Sequence, residues 1–160
     1  MSDYQPNPKV TTFIAQLERL DAGDRARFKR CAGQALSEAR HEALGLFYSV
    51  LPPGISQPQE DIYFLVATLY PLAKNAQTGD LGASLHQAHQ VRNTKGLDRR
   101  VEILLDADKT QLPFRLRQAI HFLKSCEVSV NFPRLLDDLL WWDHPERRVQ
   151  RRWARSYFTA

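Results

Sequence analysis

Hydrophobic residues recur every three or four positions along most of the chain, which is the spacing of one face of an α-helix. The first such run is Val10, Phe13, Ile14, Leu17 and Leu20. Asn7-Pro8 before this run suits a helix N-cap and first position, and Gly23 after it suits a stop. Asp24 would then cap a second helix at residues 25–33.

The next two predicted helices are separated by a proline-rich break. A helix is predicted at residues 37–51, and Pro52-Pro53-Gly54 ends it. Its inward side chains are predicted to be Leu44, Phe47, Tyr48 and Leu51. After a loop that contains Pro58, residues 62–70 are apolar on most sides, as expected of a central helix, and Pro71 should kink or end it.

Five more helices are predicted after polar connections, at residues 81–91, 98–105, 112–124, 132–142 and 146–158. No strand is predicted, because the alternation at residues 128–130 is too short. The polar, basic segment 92–96 is the candidate hinge between an N-terminal bundle, residues 1–95, and a C-terminal bundle, residues 96–160. The sequence therefore predicts an all-α fold of two small packed helical bundles with eight or nine short helices.

The last predicted helix concentrates arginine on one side. At about 100° per residue, four arginines fall within an arc of roughly 100°. They are Arg148, Arg151, Arg152 and Arg155, with Arg147 at the edge of the arc. A guanidinium group makes two-point contacts with phosphate and keeps its charge, so this stripe is a candidate nucleic-acid-binding surface. Taken alone, the helix is equally compatible with a solvated face or with pairing to acidic residues of the protein.

Further basic clusters favour an anionic partner, as does the net charge of +4. These clusters lie at residues 25–30, 92–100 and 115–124. Acidic residues are sparse within the C-terminal stripe, so we expect no network of i,i+4 ion pairs along it. The clusters would form a continuous path if the helix faces that carry them are aligned.

Candidate catalytic and metal sites are not convincing. His86 and His89 share a helix face that His121 could approach, but a zinc site would need a fourth ligand. Phosphate-binding glycine loops and the common hydrolase motifs are absent. Cys31 and Cys126 are predicted to be buried free thiols. We therefore expect no enzyme activity, no cofactor and no metal, and a cytoplasmic protein without a signal peptide or membrane span.

The chain also resembles a known family in the order and spacing of several short motifs. These motifs are Asp21-Ala22-Gly23-Asp24-Arg25-Ala26, Phe47-Tyr48 with Leu51-Pro52, residues 64–69, Arg99-Arg100 with Leu104-Leu105, Leu116-Arg117-Gln118-Ala119, and Trp142-Asp143 with the run from Arg147 to Arg155. Together they are similar to the CasB-type small subunit of the type I-E CRISPR surveillance complex, Cascade. The likeness extends from about Phe13 to Phe158.

This resemblance implies a small, non-catalytic, all-α subunit that is present in two copies in a complex containing CRISPR RNA. Its implied partners are the repeated backbone subunits, the large subunit, the second copy of itself and target DNA, where it would help hold the R-loop open. The resemblance assigns nucleic-acid contacts to Arg25, Arg99, Arg100, Arg117, Arg148, Arg151, Arg152 and Arg155. Charge geometry alone suggests Arg27, Arg30, Lys124 and Arg147. Since base pairing reads the target in guided systems, such a subunit needs no base-reading side chains.

Two other functions remain open from the sequence. The chain could be a helix-turn-helix regulator that uses residues 147–155 as its recognition helix. It could also be a structural adaptor whose basic faces dock on acidic protein surfaces.

Overall fold

The computed structural model describes residues 5–159, and the regular structure of this part of the chain is helical, with no strand. The helices are α1 (Pro8–Glu18), α2 (Ala22–Lys29), α3 (His41–Val50), α4 (Gln57–Leu69), α5 (Leu81–Val91), α6 (Leu97–Leu105), α7 (Leu112–Ser125), α8 (Phe132–Leu140) and α9 (Arg148–Phe158). Two short 3₁₀ turns, Leu36–Glu38 and Tyr70–Leu72, precede α3 and follow α4. The predicted all-α fold is confirmed.

The boundary between α1 and α2 differs from the prediction. The side chain of Asp21 accepts a hydrogen bond from the Asp24 backbone N–H at 2.8 Å, so Asp21 is the N-cap of α2. Gly23 and Asp24 therefore lie in the first turn of α2, and their predicted roles as stop and cap are wrong. The helix ends at Lys29 instead of continuing to residue 33, where Gly33 has a φ of +79°.

The region from α3 to the start of α4 corrects three further expectations. Ala39 and Arg40 are extended, so the helix begins at His41 and not at residue 37. Tyr48, predicted to face inward, is exposed and donates a hydrogen bond to Glu60 at 2.8 Å. Pro58 lies in the first turn of α4 and not in a loop. A proline is tolerated at this position because it removes only an N–H that the helix leaves unpaired.

The predicted central helix is α4, in which every residue from 62 to 69 is buried. Aromatic rings pack edge to face around it. The Phe13 and Tyr63 ring centroids lie 5.0 Å apart, and those of Phe47 and Phe64 lie 5.4 Å apart. Such pairs add about 0.5–1.5 kcal/mol each to the apolar burial of the core.

The C-terminal helices pack against α5, which precedes the candidate hinge. At Gly82 of α5, an added Cβ would lie 2.2 Å from the Trp153 carbonyl oxygen of α9, so the two backbones touch. Buried side chains from both sides of residue 95 form one hydrophobic cluster. The division into two bundles at that residue stays a prediction. Within residues 5–159, no helix combines the length and apolar character that crossing a membrane requires.

Candidate nucleic-acid interface

The C-terminal helix α9 begins two residues later than predicted. Arg147 has a φ of +52°, and its N–H donates to the His144 carbonyl oxygen at 2.9 Å. This turn directs the Arg147 guanidinium to the end of α6, where it donates to the Leu105 carbonyl oxygen and lies 3.4 Å from Asp106 Oδ1. Arg147 therefore ties α9 to α6.

The inner face of α9 is the one that the sequence predicts, because Val149, Trp153 and Tyr157 are all buried. The Trp153 indole N–H donates to Asp138 Oδ2 at 2.8 Å, and the Tyr157 hydroxyl donates to Asp98 Oδ1 at 2.6 Å. Desolvation by burial, and then the bond to Asp98, raise the pKa of Tyr157.

Arg152 belongs to this anchored side and not to a solvent-exposed stripe. Its two terminal nitrogens lie 2.7 and 2.9 Å from Asp138 Oδ1. The Asp138 side chain is only 2% exposed, so this carboxyl group is part of the core. Its burial raises the pKa of Asp138 to about 6, against the opposing effects of Trp153, Arg152 and Arg134.

Among residues 5–159, the arginines of the stripe form ion pairs, but none of these pairs has the i,i+4 spacing, as expected. Arg148 contacts Glu146 at 2.8 Å, in addition to the Arg147 and Arg152 pairs. Arg151 and Arg155 are exposed, and neither side chain has a hydrogen-bond or ion-pair partner among residues 5–159. A recognition helix would present more free side chains than these two, so the geometry does not favour the helix-turn-helix alternative.

A second basic region lies between α2 and α7, around a groove of about 1060 Å³. Its lining includes the cationic side chains Arg25, Lys29, Lys74 and Lys124, with Glu18 and Glu127 also present. The Arg25 guanidinium donates to the Glu18 carbonyl oxygen at 2.9 Å, which keeps that side chain at the groove. Two predicted candidates, Arg25 and Lys124, are thus brought together although about 100 positions separate them in the chain.

Lys29 and Lys74 were not among the predicted site residues. Lys29 belongs to the same helical cluster as Arg25, so the charge pattern could have included it. Lys74 lies outside the basic clusters of the sequence. Backbone hydrogen bonds between the segment that contains Lys74 and Val130 place it beside the end of α7. The Val130 N–H donates to the Lys74 carbonyl oxygen at 2.8 Å, and the Ala76 N–H donates to the Val130 carbonyl oxygen at 2.8 Å.

The basic surface continues along α7. The Arg117 side chain packs on Gly33, where an added Cβ would lie 2.8 Å from Arg117 Cδ. Partial desolvation, and then the charges of Arg117, Lys124 and Lys29, lower the pKa of His121.

Arg100 of α6 extends this surface, with its guanidinium 5.2 Å from the Phe122 ring centroid. We call Arg25, Lys29, Lys74, Arg100, Arg117 and Lys124 the basic face. Its members come from α2, α6, α7 and the segment that follows α4.

Three other predicted candidates lie outside the grooves of the basic face. Arg27 pairs with Asp24 at 3.3 Å, and Arg99 lies 3.8 Å from Glu102 in an exposed pair. Arg30 is exposed and has no ion-pair partner among residues 5–159. Contact of these three with nucleic acid stays a prediction, as it does for every candidate residue.

The histidines and cysteines occupy ordinary positions. His86 Nδ1 lies 2.9 Å from the Tyr157 carbonyl oxygen, while His121 lies on the outer side of α7. Within the described part of the chain, no group of three His, Cys, Asp or Glu side chains could hold a metal ion. Cys31 and Cys126 are buried free thiols, as predicted.

Comparison with known proteins assigns a family to this fold. Residues 24–158 match the family described as CRISPR-associated protein Cse2. A Cse2 protein of Thermus thermophilus is 42% identical over 108 residues, which are 65% of this chain and 60% of that relative. The chain thus aligns with less than two thirds of the length of that curated relative.

Solved structures agree with this assignment. CasB from Thermus thermophilus has a TM-score of 0.81 and 33% identity, and the match covers 94% of this chain and 98% of CasB. A chain of a CRISPR RNA-guided surveillance complex shares the fold, with a TM-score of 0.78, 21% identity and 92% coverage of both chains. The resemblance predicted from the short motifs is confirmed, and this chain belongs to the Cse2 family, the CasB-type CRISPR-associated proteins.

Proposed function

We propose that this chain is a non-catalytic, nucleic-acid-binding small subunit of a type I-E Cascade complex in antiviral defence. In that complex it would lie along the repeated backbone subunits that hold the CRISPR RNA, next to the large subunit and a second copy of itself. Its task would be to contact target DNA and stabilise the R-loop. Membership of the Cse2 family supports this proposal.

The observation that carries the DNA-binding part of the proposal is the basic face. Its cations are brought into one surface from four elements, and the Lys29, Lys74, Arg117 and Lys124 side chains have no ion-pair partner among residues 5–159. Unpaired cations can be neutralised by phosphates with release of counterions, which favours binding without sequence preference.

Binding to the phosphate backbone without sequence preference agrees with the same role. In a guided complex, base pairing between CRISPR RNA and target selects the sequence, so a helper subunit needs only to bind the backbone. The structural adaptor remains the alternative outcome, in which the basic face would dock on acidic protein and bind no DNA.

Reconstitution of Cascade with and without this chain tests the proposal, with the opened fraction of a target duplex as the measurement. We expect omission of the chain to reduce the opened fraction. The variant with Lys29→Glu and Lys124→Glu should show a similar loss while it still co-purifies with the complex and its CRISPR RNA.

The matched control for this experiment carries Lys9→Glu and Lys109→Glu, which change net charge equally but line neither groove of the basic face. It should behave as the wild type. If R-loop formation were unchanged without the chain, the proposed function would be wrong. If the control lost as much activity as the variant, the loss would reflect net charge and not the basic face.

A further inference from the structure

An exposed aromatic ring lies among the cations at one end of the basic face. Phe114, in the first turn of α7, is 53% exposed. It lines a groove of about 360 Å³, which we call the Phe114 groove. The other lining side chains are Arg100, Arg117, Gln118, His121 and Phe122.

The helical repeat explains why these groups lie together. Positions 114, 117, 118 and 121 follow the spacing of one helix face, so their side chains form a row on the outer side of α7. Arg100 of α6 forms the opposite side of the groove, where its guanidinium lies over the Phe122 ring. Because Phe122 is 9% exposed and covered by Arg100, the ring that can still accept a ligand is Phe114.

The charge of the Phe114 groove is of one sign. Among residues 5–159, no carboxylate lines it. By contrast, the neighbouring depression that contains Arg99 also contains Glu102 and Asp106, and the one at the start of α9 contains Asp106, Asp108 and Asp143. A ligand that fits this lining carries negative charge next to a flat, apolar face.

An unpaired nucleotide has both properties, whereas a base inside a duplex has its faces covered by its neighbours. Aromatic side chains and basic grooves are the standard pair of features with which proteins bind single strands, since every base has a π-face. The Arg115 guanidinium lies over the Phe114 ring, 5.3 Å from its centroid, but the residue is still 53% exposed, which leaves surface for a base.

We propose that the Phe114 groove binds one unpaired base of single-stranded nucleic acid. The base stacks on the Phe114 ring, and the phosphates on either side of it bind Arg100 and Arg117. Gln118 lies within the same groove and offers an amide to the base edge or the sugar. This inference rests on the proposed function and makes it more specific, because an R-loop contains a displaced single strand.

The test uses the full chain and a single-stranded oligonucleotide of roughly 15 thymidines with one central 2-aminopurine, whose fluorescence falls when it stacks. We expect the wild type to quench the probe. Phe114→Leu should abolish the quenching and weaken single-strand affinity about tenfold, while affinity for a duplex of mixed sequence is unchanged. Circular dichroism would confirm that the variant is folded.

Phe158→Leu is the matched control, since Phe158 is 48% exposed and lies on α9 outside the Phe114 groove. It should quench like the wild type. A second measurement follows the His121 ring by NMR. Partial desolvation, and then neighbouring cations, lower the pKa of His121, so phosphates that neutralise these cations should raise that pKa towards its ordinary value.

The possible results separate this inference from the proposed function. If Phe114→Leu quenched as the wild type does, while binding stayed salt-dependent, the stacking site would be wrong and the proposed function would stand. An equal loss of duplex affinity in Phe114→Leu would also overturn the stacking site, since the residue would then act on binding in general. If the wild type bound no oligonucleotide at any salt concentration, both proposals would fail.

Discussion

The C-terminal helix α9 and the basic face differ in how much of their charge is available to a partner. The segment from Arg147 to Arg155 has the highest density of arginine in the chain, but Arg147, Arg148 and Arg152 are engaged by groups of the same protein. The cations of the basic face are more widely spaced along the sequence. Most of them nevertheless have no carboxylate partner among residues 5–159. Charge density along a sequence is therefore a poor measure of charge available for binding.

The two regions also differ in what the arginines do for the fold. On α9, arginine connects the helix to α6 and to a buried carboxyl group of α8. On the basic face, Arg117 rests its aliphatic part on Gly33 and leaves the charge outside. Substitutions in α9 should thus act mainly on stability, and substitutions in the basic face mainly on affinity.

The largest loss of stability is expected from Trp153→Ala. The ring is 1% exposed, packs on Trp142 with centroids 5.1 Å apart, and donates to Asp138. Its removal should lower the free energy of unfolding by about 3–5 kcal/mol. Urea unfolding monitored by circular dichroism measures this change. A loss below about 1 kcal/mol would contradict the view that α9 is anchored through its inner face.

The buried carboxyl group of Asp138 should make stability depend on pH. Its pKa is raised from 3.8 to about 6 in the folded state, so the folded protein binds the proton more tightly than the unfolded chain. Stability from this group is complete below pH 3.8 and is lost as pH rises through about 6, by up to about 3 kcal/mol. The measurement is the unfolding free energy of the wild type minus that of Asp138→Asn, and this difference should decrease as the pH is raised from 4 to 7. A difference that does not change with pH would contradict the raised pKa of Asp138.

A pair of glycines tests the close packing of α5 on α9. Gly82→Ala places a methyl group against the Trp153 backbone, and we expect the free energy of unfolding to fall by about 2–3 kcal/mol. Gly45→Ala in α3 is the control, because no neighbouring side chain or backbone among residues 5–159 lies within 4 Å of its added Cβ. The control should raise stability by about 0.5–1 kcal/mol, since alanine favours helix more than glycine does. Equal effects of both changes would contradict the close approach.

The pattern of hydrophobic residues was sufficient to predict the fold class and most of the helices. Residues 62–69 are apolar on every side, and they form the centre of the core. Helix ends were less accurate. Asp21 and Asp24 are both good N-cap residues, and only the extended backbone at Asp21 decides between them. Periodicity also placed Tyr48 inside, although its hydroxyl has a partner at the surface.

The candidate site could be predicted only in part. Arg25, Arg100, Arg117 and Lys124 were proposed from sequence, but that they lie on one surface depends on packing between helices distant in the chain. The sequence left open that the arginines of α9 pair with acidic residues of the protein, but it did not single out Asp138 as the partner of Arg152. No local pattern could show that Asp138 is buried and that Asp106 meets Arg147. Phe114 could have been recognised by its spacing from Arg117, Gln118 and His121, which places the ring on the polar face of α7.

A comparison of Arg152→Ala with Arg155→Ala measures how far two arginines of α9 differ in their contribution to stability. The Arg152 side chain is 35% exposed and pairs with a buried carboxyl group, so its loss should lower the free energy of unfolding by about 2 kcal/mol. Arg155 has no ion-pair partner among residues 5–159, and its loss should change stability by less than about 0.5 kcal/mol. Both values come from urea unfolding. Equal values for the two variants would mean that the Asp138 pair does not hold α9 in place.

The smallest expected effect is on affinity, and it concerns the basic face. Arg25→Ala with Lys124→Ala removes two cations from the groove between α2 and α7. We expect duplex affinity to fall roughly tenfold, and the slope of log affinity against log salt to become shallower by about 1.8, because each phosphate contact contributes about 0.9. Unfolding free energy should be unchanged.

The double variant Arg151→Ala with Arg155→Ala removes the same amount of charge from the exposed side of α9. It can therefore be compared directly with the Arg25→Ala and Lys124→Ala pair. If the basic face carries most of the binding, this second pair should change the slope less than the first. A larger change of the slope in the second pair would mean that α9 is the main binding surface. Arg151 and Arg155 would then contribute more phosphate contacts than the two cations removed from α2 and α7.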